Sequence, residues 1–189
     1  MNNGAVLTVD GQASKVLTAY TDLLVERGIR GATLEELARR TGLSKSGVLH
    51  HFPSMKALRS ALFDEVRAQV AEDVRAMRAA PEGPLRYYLL SSLDRDSELE
   101  RLIEACTRIA QTGDETALDI LRESRGGWLN VLVESTRSPA LSKTILMLGD
   151  GINHNALLRV REDEEFLTDA HLEHLIATFE ALLSDNTPH

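Results

Sequence analysis

Only one cysteine, Cys106, occurs among the 189 residues, so neither an internal disulfide nor a multi-cysteine metal site can form. A reducing, cytoplasmic setting is the simplest expectation. Aromatic residues make up 4% of the chain, with one Trp and three Tyr, so each ring available to a binding site stands out. No apolar run approaches the roughly 18–20 residues needed to cross a bilayer. The opening MNNGAVLTVDGQ also lacks the basic start and long apolar stretch of a signal peptide, and a soluble, non-exported protein with no membrane partner is expected. No segment alternates apolar and polar residues as a strand would. A Ser/His/Asp order, a phosphate-cradling glycine loop and a paired-carboxylate constellation are absent as well. The chain is therefore not expected to be an enzyme, and no cofactor is called for.

Apolar residues make up 43% of the chain, enough for a buried core and too many for global disorder. The net charge of −8 is unevenly spread. Residues 1–60 carry eight bases (Lys15, Arg27, Arg30, Arg39, Arg40, Lys45, Lys56, Arg59) and five acids, a balance of +3, against −11 for the remainder. Such polarity suits a head that meets phosphates and a body that stays off them.

The long segments read with a 3.6-residue period, which predicts an all-α fold. Val16, Leu17, Tyr20, Leu23 and Leu24 form one apolar face of a first helix that stops at Gly28. Thr33 is placed to cap a second helix, with Glu36 reaching back to complete a capping box and Leu34, Leu37 and Ala38 as the buried face. Ser44 can cap a short third helix running to about His51, and Ser54, after Pro53, a long one from Met55 to about Ala80. Pro81, Gly83 and Pro84 end that helix. Further helices are predicted at about 85–93, 97–111, 115–136, 140–160 and 169–184, separated near 94–96, 112–113, 138–139 and 161–165. Leu141, Ile145, Leu148, Ile152 and Ala156 form one stripe needing a partner. Leu172, Leu175, Ile176, Phe179, Leu182 and Leu183 form another. Gly126-Gly127, inside a helical segment, points to a kink beside a cavity or to a close helix contact.

The informative unit is Thr33 to Phe52. Two short helices crossing steeply need a small residue where they touch and a glycine at positive φ in the turn. Ala38 and Gly42 supply these, and Leu34, Leu43 and Val48 the apolar contacts. The second of the two helices then presents its start to a major groove. Two histidine pairs are read against metal binding: neighbours such as His50 and His51 diverge by about 100° on a helix. His171 and His174 lack a third ligand.

The run ERGIRGATLEELARRTGLSKSGVLHHFPSMKAL, residues 26–58, resembles the N-terminal domain of TetR-family transcriptional regulators, and the likeness covers about residues 12–60. The resemblance implies three parts: a three-helix helix-turn-helix DNA-binding head at 1–54, a linking long helix at 55–80, and a larger helical ligand-binding and dimerisation body at 81–189. It also implies a homodimeric repressor that pairs through its last two helices and leaves a palindromic double-stranded DNA operator when a small-molecule effector binds. Carried onto this sequence, the DNA-contacting residues are Thr33, Ser44, Lys45, Ser46, Gly47, His50, His51 and Lys56. Leu49 stands where the family usually has a phosphate-binding Tyr, and Met55 where it has Lys, with Lys56 a possible replacement one position along. Gly47 costs about 1 kcal/mol of helix propensity relative to Ala, a cost that close approach to DNA would offset. In the body, Tyr87, Tyr88, Cys106, Trp128 and Asn153 are the candidate effector liners, as scarce rings and placed polar groups in an apolar pocket. The alternative is an all-helical adaptor or ligand-binding protein whose head contacts protein; it would show no salt-sensitive, sequence-specific DNA binding.

Overall fold

The computed structural model describes residues 11–94, 97–157 and 168–185. Among the described residues the regular structure is helical throughout, as the periodicity predicts: α1 Gly11–Gly31, α2 Leu34–Thr41, α3 Lys45–His51, α4 Met55–Ala79, α5 Pro84–Ser91, α6 Glu98–Ala110, α7 Glu115–Thr136, α8 Pro139–Leu157 and α9 Asp169–Asp185. No helix among them is long and apolar enough to cross a membrane. The breaks expected at 94–96 and 161–165 fall partly or wholly outside the described residues, as does the Ala156 side chain.

Helix starts are fixed by local chemistry. The Ser54 hydroxyl accepts from the Ala57 amide at 3.0 Å and opens α4. Pro84, whose fixed φ suits a first helical position, opens α5 after Gly83. In α1 the helical dihedrals break at Gly28 (φ 64°, ψ −175°), where the sequence pattern ends, and a last turn runs on to Gly31.

The chain packs as two units that draw on non-consecutive helices. The first comprises residues up to Ala68 together with Glu98–Arg122, the second Gln69–Ser97 together with Glu123–His189. These lines differ from the three consecutive parts drawn from sequence, because α6 and the start of α7 pack with the head. In the first unit α1 lies against α6, and Val16, Tyr20, Leu23, Leu24, Leu37, Val48, Leu58, Leu62, Ala105, Cys106 and Ile109 are all but inaccessible. Tyr20 is buried near Arg59, whose Nε is itself buried without a hydrogen-bond partner; burial, more than the neighbouring charges, pushes the Tyr20 pKa up. The Arg59 guanidinium in turn donates to Asp114 at 3.0 Å, and Asp114 caps α7 through the Ala117 amide.

The second unit is built on Met77, Leu85, Leu89, Leu132, Ile145, Ile152, Leu172 and Ile176, with α5 packed on α8 and α9. Both predicted stripes contribute: Ile145, Ile152, Leu172 and Ile176 are buried, Leu141, Leu148, Phe179 and Leu183 partly so, while Leu182 stays 46% exposed. Gly126-Gly127 proves to be the close-contact case. A Cβ at Gly127 would sit 3.2 Å from Val74 Cγ2, whereas one at Gly126 would meet nothing within 4 Å.

Candidate functional site

The site grows from two caps and one left-handed glycine. Thr33 Oγ1 accepts from the Glu36 amide at 3.3 Å and opens α2. Ser44 Oγ accepts from the Gly47 amide at 3.0 Å and opens α3. Gly42 closes α2 at φ 74°, a conformation that costs a side-chain-bearing residue about 1–2 kcal/mol. Val48, 1% exposed, anchors α3 inward, and Leu37 is fully buried. Leu34, Ala38 and Leu43 are only half-buried, since α2 is two turns long and a single row of its positions reaches the interior.

The expected capping box forms by half. The Glu36 carboxylate does not return to the Thr33 amide, which donates to Gly31 O instead. It accepts from Arg27 at 2.6 Å and from Arg39, and the hydrogen bond from Arg39 is the main cause holding its carboxyl below the usual carboxylate range. Two guanidinium donors outcompete one backbone amide for a carboxylate because charge-assisted bonds are the stronger kind.

With Val48 turned inward, α3 leaves Lys45, Ser46, Leu49 and His50 exposed, and Gly47 and His51 half-covered. Thr33, Ser44 and Lys56 are exposed as well. The structure thus presents all eight proposed contact residues on the head, as cap residues, on α3 or at the first turn of α4. Ser44 doubles as a cap and as a partner of the Ser46 hydroxyl at 2.9 Å. A Cβ at Gly47 would make a tight contact with Ser44 Oγ at 3.3 Å and an ordinary one with Leu43 Cβ at 3.5 Å. The His50 and His51 rings meet edge to face at 5.4 Å.

The bases of the head are less free than a simple charge tally implies. Lys45 is ion-paired with Glu35, an acid in the first turn of α2. Lys45 holds the Glu35 carboxyl below its ordinary range, chiefly through that hydrogen bond. Arg40 pairs with Glu26 and lies 3.9 Å from Asp22, which also accepts from Arg101 of α6. Among the described residues Lys15, Arg30 and Lys56 form no ion pair.

The proposed effector liners divide between the units. Cys106 is fully buried in the first, where its thiol faces Ala117 O at 3.8 Å and burial pushes its pKa up to about 11. Tyr87, Tyr88, Trp128 and Asn153 belong to the second. Tyr87 Oη and Trp128 Nε1 donate to the two carboxylate oxygens of one residue, Asp73, at 2.8 and 2.7 Å. The Tyr88 ring lies 6.4 Å from that of Trp128, and its hydroxyl donates to Asp150 at 3.4 Å. Asn153 is half-buried on α8. Asp73 was not among the candidates, yet its spacing from Val70 and Met77 puts a carboxylate on the apolar stripe of α4, a signal open to inspection.

Residues 16–62 match the family model of bacterial regulatory proteins of the tetR family. A 103-residue stretch is 29% identical to the HTH-type transcriptional regulator RutR of Escherichia coli K12, covering 50% of this chain and 49% of that protein. An 83-residue stretch is 35% identical to the HTH-type transcriptional repressor AcnR of Corynebacterium efficiens, covering 41% and 44%. The chain spans about half the length of the curated relatives it matches. The fold is shared with a transcriptional regulator from Saccharomonospora viridis solved in complex with choline, at a TM-score of 0.66 and 16% identity over 92% of this chain and 96% of that one. Over residues 16–62 the chain is therefore similar to the N-terminal domain of tetR-family bacterial regulatory proteins.

Proposed function

We propose that this chain is a homodimeric repressor that binds a palindromic operator through α3 and leaves it when a small molecule occupies the second unit. The observation that carries the reading is the α3 face: Lys45, Ser46 and His50 stand exposed on a helix that Ser44 caps and Val48 anchors. In this reading Thr33 and Lys56 hold phosphates, Lys45, Ser46 and Gly47 meet base edges or backbone, and His50 and His51 reach phosphates beside the helix end. Ser44 contributes a hydroxyl at the helix start. Paired α3 helices of a dimer would enter successive grooves about 34–36 Å apart. DNA binding places the work of the protein in the cytoplasm.

Dimerisation through α8 and α9 is favoured by Met147, which is 71% exposed on α8, and by the partly exposed Leu182 on α9. A contiguous apolar patch that included these side chains would suit association between two copies of the chain. The repressor sense follows the name of AcnR, and the choline complex of the S. viridis regulator supports a small-molecule effector in this fold. Tyr87, Tyr88, Trp128 and Asn153 are the liners proposed for it. Release requires only that the effector bind the DNA-incompetent state more tightly than the competent one.

The test is fluorescence anisotropy with duplex DNA flanking the gene, repeated over a salt series. Specific, steeply salt-dependent binding is expected. Lys45→Ala should weaken it by about tenfold, 1.4 kcal/mol, with the dimer intact by sedimentation. Equal operator affinity for variant and wild type would sink the assignment of α3.

A further inference from the structure

We propose that Asp73, Tyr87 and Trp128, with Tyr88 beside them, form a recognition site for an organic cation carrying an aromatic or alkyl body, and that the effector belongs to that class. The effector half of this proposal rests on the regulator reading above; the binding half does not.

The chain has one Trp and three Tyr, and the Trp and two of the Tyr gather at this place. Asp73 holds them: one carboxylate oxygen takes the Tyr87 hydroxyl at 2.8 Å and the other takes the Trp128 indole N–H at 2.7 Å. Both donors are neutral. Among the described residues no Lys, Arg or His forms an ion pair with Asp73. The bases that follow it on α4 are engaged elsewhere, Arg75 with Glu72 and Arg78 with Glu134. The charge of Asp73 is therefore solvated by two rings without being neutralised, and a structural acceptor for two neutral donors has no need of a charge.

Three consequences favour a cation. A ring that donates a hydrogen bond to an anion gains electron density, which strengthens its attraction for a positive charge over its face. The local field is negative, since both Asp73 and Glu82 add to burial in pushing the Tyr87 phenol up to about 12. An anionic ligand would meet an uncompensated carboxylate at the same point. Asp73, Tyr87 and Trp128 each keep partial exposure, so the group is reachable from solvent. Tyr88 is held as a fixed wall: behind its ring lies Gly149, where a Cβ would press on the ring and stand 2.8 Å from Ser92 Oγ.

Trp128 is the single indole, so its emission reports the site directly. The full chain is titrated with phenyltrimethylammonium, with tert-butylbenzene as its neutral isostere and benzenesulfonate as an anion. Saturable quenching by the cation is expected, with the neutral compound at least about tenfold weaker and the anion without effect. Asp73→Asn should raise the Kd for the cation at least about tenfold, or 1.4 kcal/mol. Tyr87→Phe, which keeps the charge and loses one hydrogen bond, should change it by less than about threefold. If Asp73→Asn does not fold, the comparison of cation with isostere on the wild-type chain decides. Equal binding of the isostere, an unchanged Kd in folded Asp73→Asn, or no saturable response to the cation up to about 10 mM would overturn the site. The same cation is then added to the protein–operator complex. Binding without release would overturn the effector role and leave the site standing. Release by an uncharged compound that leaves Trp128 unmoved would overturn the cation class and leave the regulator standing.

Discussion

The surface around α3 in the first packing unit and the ring cluster around Asp73 in the second handle charge in opposite ways. In the first, bases and acids meet each other on the surface around α3: Arg27 and Arg39 on Glu36, Arg40 on Glu26, Lys45 on Glu35. In the second, a carboxylate on the inner stripe of α4 meets neutral rings, and the negative charge of Asp73 is left unmatched. Exposed pairs of the first kind contribute little to stability and exchange readily for other partners, which suits a surface that trades carboxylates for phosphates. A carboxylate wrapped by a phenol and an indole is held in place, which suits a site that waits for one kind of ligand.

The sharpest way to test this contrast is to separate the scaffold of the head from its charges. Leu37 is fully buried on α2 and carries none of the proposed DNA contacts. Leu37→Ala should cost about 2–5 kcal/mol by urea denaturation, from lost transfer energy and the cavity left behind. Removal of surface pairs such as Arg40 with Glu26 should lower the same midpoint far less. If the pair variants proved as destabilising as Leu37→Ala, the head would depend on its ion pairs for folding, and the picture of exchangeable charges would fail.

Alkaline pH separates the units by a different route. Cys106 is buried in the first unit and its pKa is raised from 9.0 to about 11. A raised folded-state value means that the thiol proton is held more tightly in the native chain. The associated stability is complete below pH 9 and is lost as the pH climbs through 9 to 11. The loss should reach roughly 2–3 kcal/mol at most. It should be read as a falling urea midpoint between pH 8 and 10.5, and Cys106→Ala should flatten that stretch of the profile. At neutral pH the native thiol should resist a disulfide reagent and react only on denaturation. Rapid reaction in the native state would show that this part of the core opens.

Why the head reads so plainly from sequence is now clear in physical terms. Thr33, Ser44 and Ser54 each bond to an amide three residues on, and Gly42 answers to its own backbone angle, so the signals that set α2, α3 and α4 are local. Helix bounds in the body were equally legible because apolar stripes and Pro84 or Pro139 are local too. Partner choice was not. Glu36 turns to Arg27, nine residues back, and Asp73 finds Tyr87 and Trp128 at separations of 14 and 55 residues. The packing of α6 with α1 likewise joins segments that no periodicity connects. Cys106 shows the same limit, since its type and spacing fit a pocket wall or a core, and only its surroundings place it in the core.

The smallest expected effect probes the pair closest to the proposed DNA surface. Glu35 is exposed at the first turn of α2 and holds Lys45, the first residue of α3. Bound to DNA, Lys45 must leave Glu35 for a phosphate or a base edge, and the carboxylate then faces the duplex unpaired. Glu35→Gln removes that repulsion and frees Lys45 beforehand, while the exposed pair it breaks adds nothing measurable to folding. A few-fold rise in affinity for unrelated DNA is expected, with a salt slope steeper by about one. The gain should be smaller on the operator, so specificity falls as affinity rises. A drop in operator affinity alone would instead mean that Glu35 reads a base directly, as a carboxylate does when it accepts from a cytosine amino group. In that case the head, like the second unit, would use an acid as a recognition element, and the contrast between the two would narrow.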